Sequence, residues 1–141
     1  NPLSGIYLKQ GKIDLAKKLI DRSIALKKQT GDKRGMAFAL YGRGKVAYKL
    51  GNLEAAKADF SESLRMHIEV EEKLGEGMAN YKLGLVYKDL REFQTAYKHL
   101  HVALEIAKKY NISFVSFKSY YTLYQLAKAE GKVPEALQYL E

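Results

Sequence analysis

The sequence predicts an all-α fold built from stacked antiparallel helix pairs. Three observations carry this. A 40-residue register repeats four times without insertion. Apolar and small residues recur at three- and four-residue spacing inside each register, which is helical periodicity. Glycine or asparagine punctuates the chain at the same two places in most of the repeats, and no stretch shows the period-two alternation of a strand.

The register is best seen by aligning the segments that begin at Asn1, Tyr41, Tyr81 and Tyr121. Ala16, Ala56, Ala96 and Ala136 fall in one column. Ile20, Phe60, Leu100 and Leu140 follow four residues later. Ile13, Leu53, Phe93 and Val133 precede the alanine by three, and Gly11, Gly51, Arg91 and Gly131 by five. Self-similarity at such a period marks a repeat architecture in which each unit buries its apolar face on the next.

Each unit reads as two helices joined by a short turn. In the second unit the first helix spans 37–50, Gly51-Asn52 forms the turn, and the second helix runs from Leu53 to about Lys73. Gly51 suits the left-handed conformation that ends a helix. Pro134 stands in the first turn of the fourth unit's second helix, where proline is tolerated. Gly31 and Asn111 are expected to end helices, with Asp32 and Ser113 as the following N-caps. Glu71 breaks that column and leaves the junction from Glu71 to Gly77 open. The units are thus about 1–36 (partial), 37–76, 77–116 and 117–141 (partial), one array of about 3.5 repeats.

Gly44 and Gly84 share a column inside the first helix, with Ser4 and Tyr124 in the same place. Glycine there costs about 1 kcal/mol against alanine. The expected compensation is close approach of the paired helix at Ala56 and Ala96. A phosphate-binding glycine loop would need a preceding strand, which is absent.

Composition agrees. Apolar residues make up 47% of the 141, enough for a sizeable core, and only two prolines occur. Without cysteine there are no disulfides or thiolate sites. No apolar run approaches the roughly 20 residues of a membrane span, and no signal peptide is present. A cytoplasmic location is expected, with a periplasmic sensor region as the alternative. The net charge of +8 allows an acidic protein, nucleic acid or anionic membrane as partner, or simply a solvated basic surface.

These columns resemble the tetratricopeptide repeat. Leu83-Gly84, Tyr87, Ala96 and Leu100 in the third unit follow the family's pattern, as do Leu40, Gly44, Ala56 and Phe60 in the second, and Tyr120, Leu123, Ala136 and Leu140 in the fourth. The period is 40 where the common one is 34, and Lys28, Ile68 and Lys108 stand where a proline usually ends the second helix. Both departures match the longer-helix class, similar to arrays in bacterial signalling proteins. The resemblance implies a right-handed superhelical solenoid that binds a peptide or protein segment on its concave face. It also implies further repeats or an effector domain, because neither end shows a polar cap.

In such solenoids the first helix of each unit lines the groove. The expected partner-binding face is Phe38, Tyr41, Lys45 and Tyr48 in the second unit. It continues with Met78, Tyr81, Leu85 and Lys88 in the third and Tyr121, Gln125 and Lys128 in the fourth, beside Lys49 and Lys118. Tyr41, Tyr81 and Tyr121 form a ladder in one column, giving large contact area at low entropic cost. The inner segments 37–50, 77–90 and 117–130 carry seven basic residues against two acidic ones, Asp89 and Glu130. The other reading is that the tyrosines pack between units and the lysines are solvated. Chaperone-binding members hold a C-terminal carboxylate with a lysine and asparagine clamp. Gly42, Lys82 and Thr122 occupy the column of its asparagine, which disfavours that clamp here.

No catalytic motif, cofactor signature or metal-ligand spacing is evident, so an enzyme is not expected. The three histidines, His67, His99 and His101, read as satisfied or exposed. His99 and His101 lie two apart on a helix, on different faces. The expected function is a protein-interaction module binding an extended or helical segment, acidic and partly apolar, as the sensory or docking region of a signalling protein. The alternatives are a structural or self-associating array and, less favoured, a nucleic-acid-binding helical repeat.

Overall fold

The computed structural model describes the backbone of residues 2–140 and the side chains of 10–132 and 134–140. The expectations at Ser4 and Val133 lie outside the described side chains. Seven helices follow one another: α1 (Pro2–Thr30), α2 (Lys33–Lys49), α3 (Leu53–Glu69), α4 (Lys73–Asp89), α5 (Phe93–Lys109), α6 (Ser113–Ala129) and α7 (Val133–Gln138). From α2 onward each begins 20 residues after the last, so two helices make the 40-residue period. The first helix of the second unit starts at Lys33, not Ala37, because Asp32 caps it by accepting from the Gly35 amide at 2.9 Å. The second ends at Glu69, short of Lys73.

The turns explain the regular spacing. Residues 31, 51, 71, 91, 111 and 131 all take positive φ, although only three are glycine; the others are Glu71, Arg91 and Asn111. Each turn repeats one bond: Asp32 N–H to Lys27 O, Asn52 to Ala47, Glu72 to His67, Glu92 to Tyr87, Ile112 to Ala107 and Lys132 to Ala127, at 2.8–2.9 Å. This six-to-one closure satisfies carbonyls that the helix end would leave open. The junction left open at Glu71 is therefore a turn like the rest, and Glu71 accepts a left-handed conformation unfavourable to a side chain. Ile112, not Ser113, is the N-cap of α6, without a side-chain bond.

Gly11 does not turn. α1 runs through it as one helix of 29 residues, which corrects the helix pair expected for the first unit. Glycine permits a turn but does not impose one; a partner helix must hold the fold-back, and among the described residues α1 packs on α2 alone. Helices touch their sequence neighbours, and α4 also touches α2 and α6, whereas α3 and α5 do not touch. The even-numbered helices thus form the inner layer of a solenoid.

The alanine column is the seam of each pair. Ala56, Ala96 and Ala136 are buried, as are Phe60 and Leu100 four residues on, while Leu140 is 57% exposed. Gly44 and Gly84 do mark close approach, but against Phe60 and Leu100 rather than Ala56 and Ala96. A Cβ at Gly44 would lie 2.8 Å from the Phe60 ring, and one at Gly84 2.6 Å from Leu100.

Arg43 ties three helices together. Its guanidinium donates to Asp59 on α3 with two bonds of 2.9 and 3.0 Å and to Asp21 on α1 at 3.1 Å. The forked pair with half-buried Asp59 holds its pKa above the ordinary range. Arg43→Ala is expected to cost about 1 kcal/mol, read as a lower urea midpoint, and to raise amide exchange in α1 first. Unchanged exchange in α1 would show that apolar contacts alone dock it.

Candidate inner-face binding site

Every residue of the expected binding face lies on α2, α4 or α6, but the structure divides them by availability. Tyr41 is 9% exposed and its ring tilts against Phe60 at 5.6 Å, within the cluster that joins Leu83 and Val86 of the next unit. Burial, with Tyr81 nearby, pushes its hydroxyl pKa up to about 12. Tyr41 thus packs between units, the other arrangement expected for the ladder. Along the ladder Tyr81 is half-buried, with its pKa raised by burial, and Tyr121 is 51% exposed. The gradient has a simple cause: each tyrosine is covered by the inner helix of the following unit, and no helix follows α6 on that side among the described residues.

Two further residues bridge units. The Tyr48 hydroxyl donates to Asp89 at the end of α4. Burial and that carboxylate raise its pKa. Lys88 donates to the Gln125 side-chain carbonyl on α6 at 3.3 Å. Met78 and Leu85 are half-buried. Phe38, Lys45, Tyr121 and Lys128 remain open to solvent, and Phe38 stands edge-on to the His67 ring at 4.6 Å.

Lys82, in the clamp column and outside the expected site, lies half-buried on α4 in the inner layer, with Lys45 on α2 and Lys118 on α6. Burial, reinforced by these two charges, lowers its pKa. Lys45 and Lys82 sit over the rings of Tyr41 and Tyr81, at 5.6 and 5.8 Å from the centroids. Thr122, in the same column as Lys82, is buried and donates to the Lys118 carbonyl at 2.9 Å. The signal available in sequence was the pattern Lys45, Lys82, Lys118 on successive inner helices, stepped back by about one helical turn per unit.

The histidines differ from expectation at one position. His99 bonds Asn80 at 2.9 Å and stacks on Tyr87 with rings 2° from parallel. His101 is exposed beside Tyr139. His67 is fully buried, and neither ring nitrogen has a hydrogen-bond partner. Among the described residues no cluster of three His, Asp or Glu side chains converges.

Residues 1–69 match the sequence profile of the family described as tetratricopeptide repeat. This chain carries tetratricopeptide repeats. The apo form of RapI superposes with a TM-score of 0.86 at 22% identity, over 96% of this chain and 50% of RapI. A kinesin light chain-like protein of Podosopora anserina with nearly identical TPR-like repeats superposes at 0.77 and 16% identity, over 99% of this chain and 69% of that one. Both likenesses are of fold, and the chain spans half the length of RapI. No curated protein matches the sequence. Tetratricopeptide repeats are in general protein-interaction modules on a non-catalytic scaffold. Among the described residues no helix is long and apolar enough to cross a membrane.

Proposed function

We propose that this tetratricopeptide array docks a peptide or protein segment along the inner face of α2, α4 and α6, as the sensory or docking region of a cytoplasmic signalling protein. The observation that carries the reading is the lining of the inner face. Exposed Lys45 and Lys118 and half-buried Lys82 have no carboxylate partner among the described residues, and half-buried Leu85 and exposed Tyr121 lie on the same helices. Mixed apolar and cationic lining of a concave layer suits a segment that brings both side-chain types.

Panning a random peptide library against the chain tests this. Enriched peptides are expected to lose at least tenfold in affinity on Leu85→Glu/Tyr121→Ala, about the effect of one interface hot spot, with circular dichroism unchanged. Equal binding to both proteins would place docking elsewhere.

A self-associating array is the second reading, favoured by exposed Phe114, Phe117, Leu137 and Leu140 near one end. Sedimentation would show mass rising with concentration, and Phe117→Ser would abolish the rise.

A further inference from the structure

We propose that the cleft between α1 and α3, on the outer face, is a binding site for a small aromatic carboxylic acid. It is separate from the inner face, and neither reading depends on the other.

The cleft measures about 320 Å³, at the lower end of the range for ligand pockets. An apolar cavity of about 150 Å³ already holds benzene. Its floor is α2, and its sides are α1 and α3, which do not touch among the described residues. Val46, Ala47 and Leu50 line it from the second unit's first helix and turn, and Ala55 and Ala58 from α3. Leu50 is 41% exposed there, an apolar side chain without full cover.

The next unit shows what such a space holds. Forty residues on, Tyr87 stands in the column of Ala47. Its ring stacks on His99 of α5 with centroids 5.4 Å apart, and the Lys57 ammonium of α3 lies 6.0 Å from its centroid. Lys17 and Asp59 are the counterparts of Lys57 and His99, and both line the cleft. The second unit therefore keeps the frame around a ring while lacking the ring. Its other differences also leave room: Ala55 stands in the column of Thr95, and Ala58 in that of Lys98.

Two polar features select the ligand. Asp59 accepts both bonds of the Arg43 fork, at 2.9 and 3.0 Å, so its charge is already answered. A guanidinium in such a pair offers a flat face on which an aromatic ring stacks. Lys17 is exposed and has no carboxylate partner among the described residues. An adjoining cleft that shares Val46 adds Lys12 and Lys49, also without one. A ring over Ala47 with a carboxylate facing Lys17 satisfies both features. A neutral ring would leave the basic rim unanswered, and an inorganic anion would leave the apolar floor in water.

The test is a titration of the chain with phenylacetate, followed by NMR of the alanine methyl groups. Saturable shifts are expected at Ala47, Ala55 and Ala58, with a Kd on the order of 1 mM. Phenylacetamide should bind about threefold more weakly, and Lys17→Met should abolish that difference. Lys45→Met, on the inner helix α2 but outside the cleft, should leave binding within error. Ala47→Tyr supplies the ring covalently, as Tyr87 does in the next unit. It should melt at a higher temperature than the wild type and bind no phenylacetate.

An Ala47→Tyr protein that melts lower would show that the space does not fit a ring, and would overturn the proposal. Equal binding of the acid and the amide to the wild type would overturn the role of Lys17 and with it the ligand class. Absence of saturable shifts, or shifts confined to residues outside the cleft, would overturn the site. Each of these results would leave docking on the inner face untouched.

Discussion

Gly44→Ala and Gly84→Ala are each expected to destabilise the array by about 2 kcal/mol, while Gly42→Ala, in the same helix as Gly44, should stabilise it by up to about 1 kcal/mol. All three gain the helix propensity of alanine. They differ in what the new methyl meets. At Gly84 it would lie 2.6 Å from a Leu100 side chain that is fully buried and has no space to retreat. At Gly44 it would lie 2.8 Å from the Phe60 ring, equally buried. At Gly42 its nearest neighbour is the Ile20 methyl at 4.0 Å, an ordinary contact. Overpacking a filled seam outweighs propensity; open space lets propensity act alone. Urea midpoints of the three variants check this. Combining Gly84→Ala with Leu100→Val should recover part of the loss, because the shorter side chain makes room. A stabilised Gly44→Ala would show that the helix pair can part freely and that the glycine column has another cause.

His67→Leu is expected to raise stability by about 1 kcal/mol at pH 7 and to remove part of the protein's acid sensitivity. The ring lies sealed between Phe38 and Gly75, where a Cβ would sit within 2.1 Å of it. Both nitrogens lack partners, so the neutral ring already bears a desolvation cost. Burial holds its folded-state pKa below the ordinary 6.5, against the opposing pull of Glu72 and Glu76. The unfolded chain therefore binds a proton at His67 near pH 6.5, whereas the folded chain does so only in more acidic solution. His67's contribution is complete above about pH 6.5 and is lost as the pH falls toward the folded-state value. Melting temperatures of the wild type and His67→Leu, measured from pH 8 to pH 5, should diverge on the acid side. His99, also lowered by burial, should leave a residual slope. A variant less stable at pH 7, with an unchanged acid slope, would mean that the imidazole makes bonds a leucine cannot.

The repeat was legible because its determinants are local and periodic. Ala56, Ala96 and Ala136 announce the seam, and Gly31, Gly51 and Gly131 announce turns. What stayed hidden depends on neighbours that no spacing reveals. Glu71 and Arg91 turn left-handed because the packed helices on either side demand it, whereas Gly11, with the right residue type, stays helical because α1 has only α2 to lie against. Tyr41, Tyr81 and Tyr121 are equivalent in sequence, yet the first is core and the last is open. Burial in an array is set by whether another unit follows, which is a property of position and not of residue type. The site followed the same rule. Its helices and charge bias were readable, but the bridging of Tyr48 to Asp89 and of Lys88 to Gln125 arises between units.

An array whose inner helices α2, α4 and α6 touch in sequence, while the outer helices α3 and α5 do not touch each other, behaves as a spring with few coils. Its pitch is the sum of small rotations at each unit boundary, where α3 packs on α4 and α5 on α6. Tyr48–Asp89 and Lys88–Gln125 bridge those boundaries on the inner side. A segment laid across all three helices would act as a clasp on that spring. Whatever is joined to the two ends of the coil would feel its closure as a change of angle, a mechanical signal delivered without any rearrangement inside a unit.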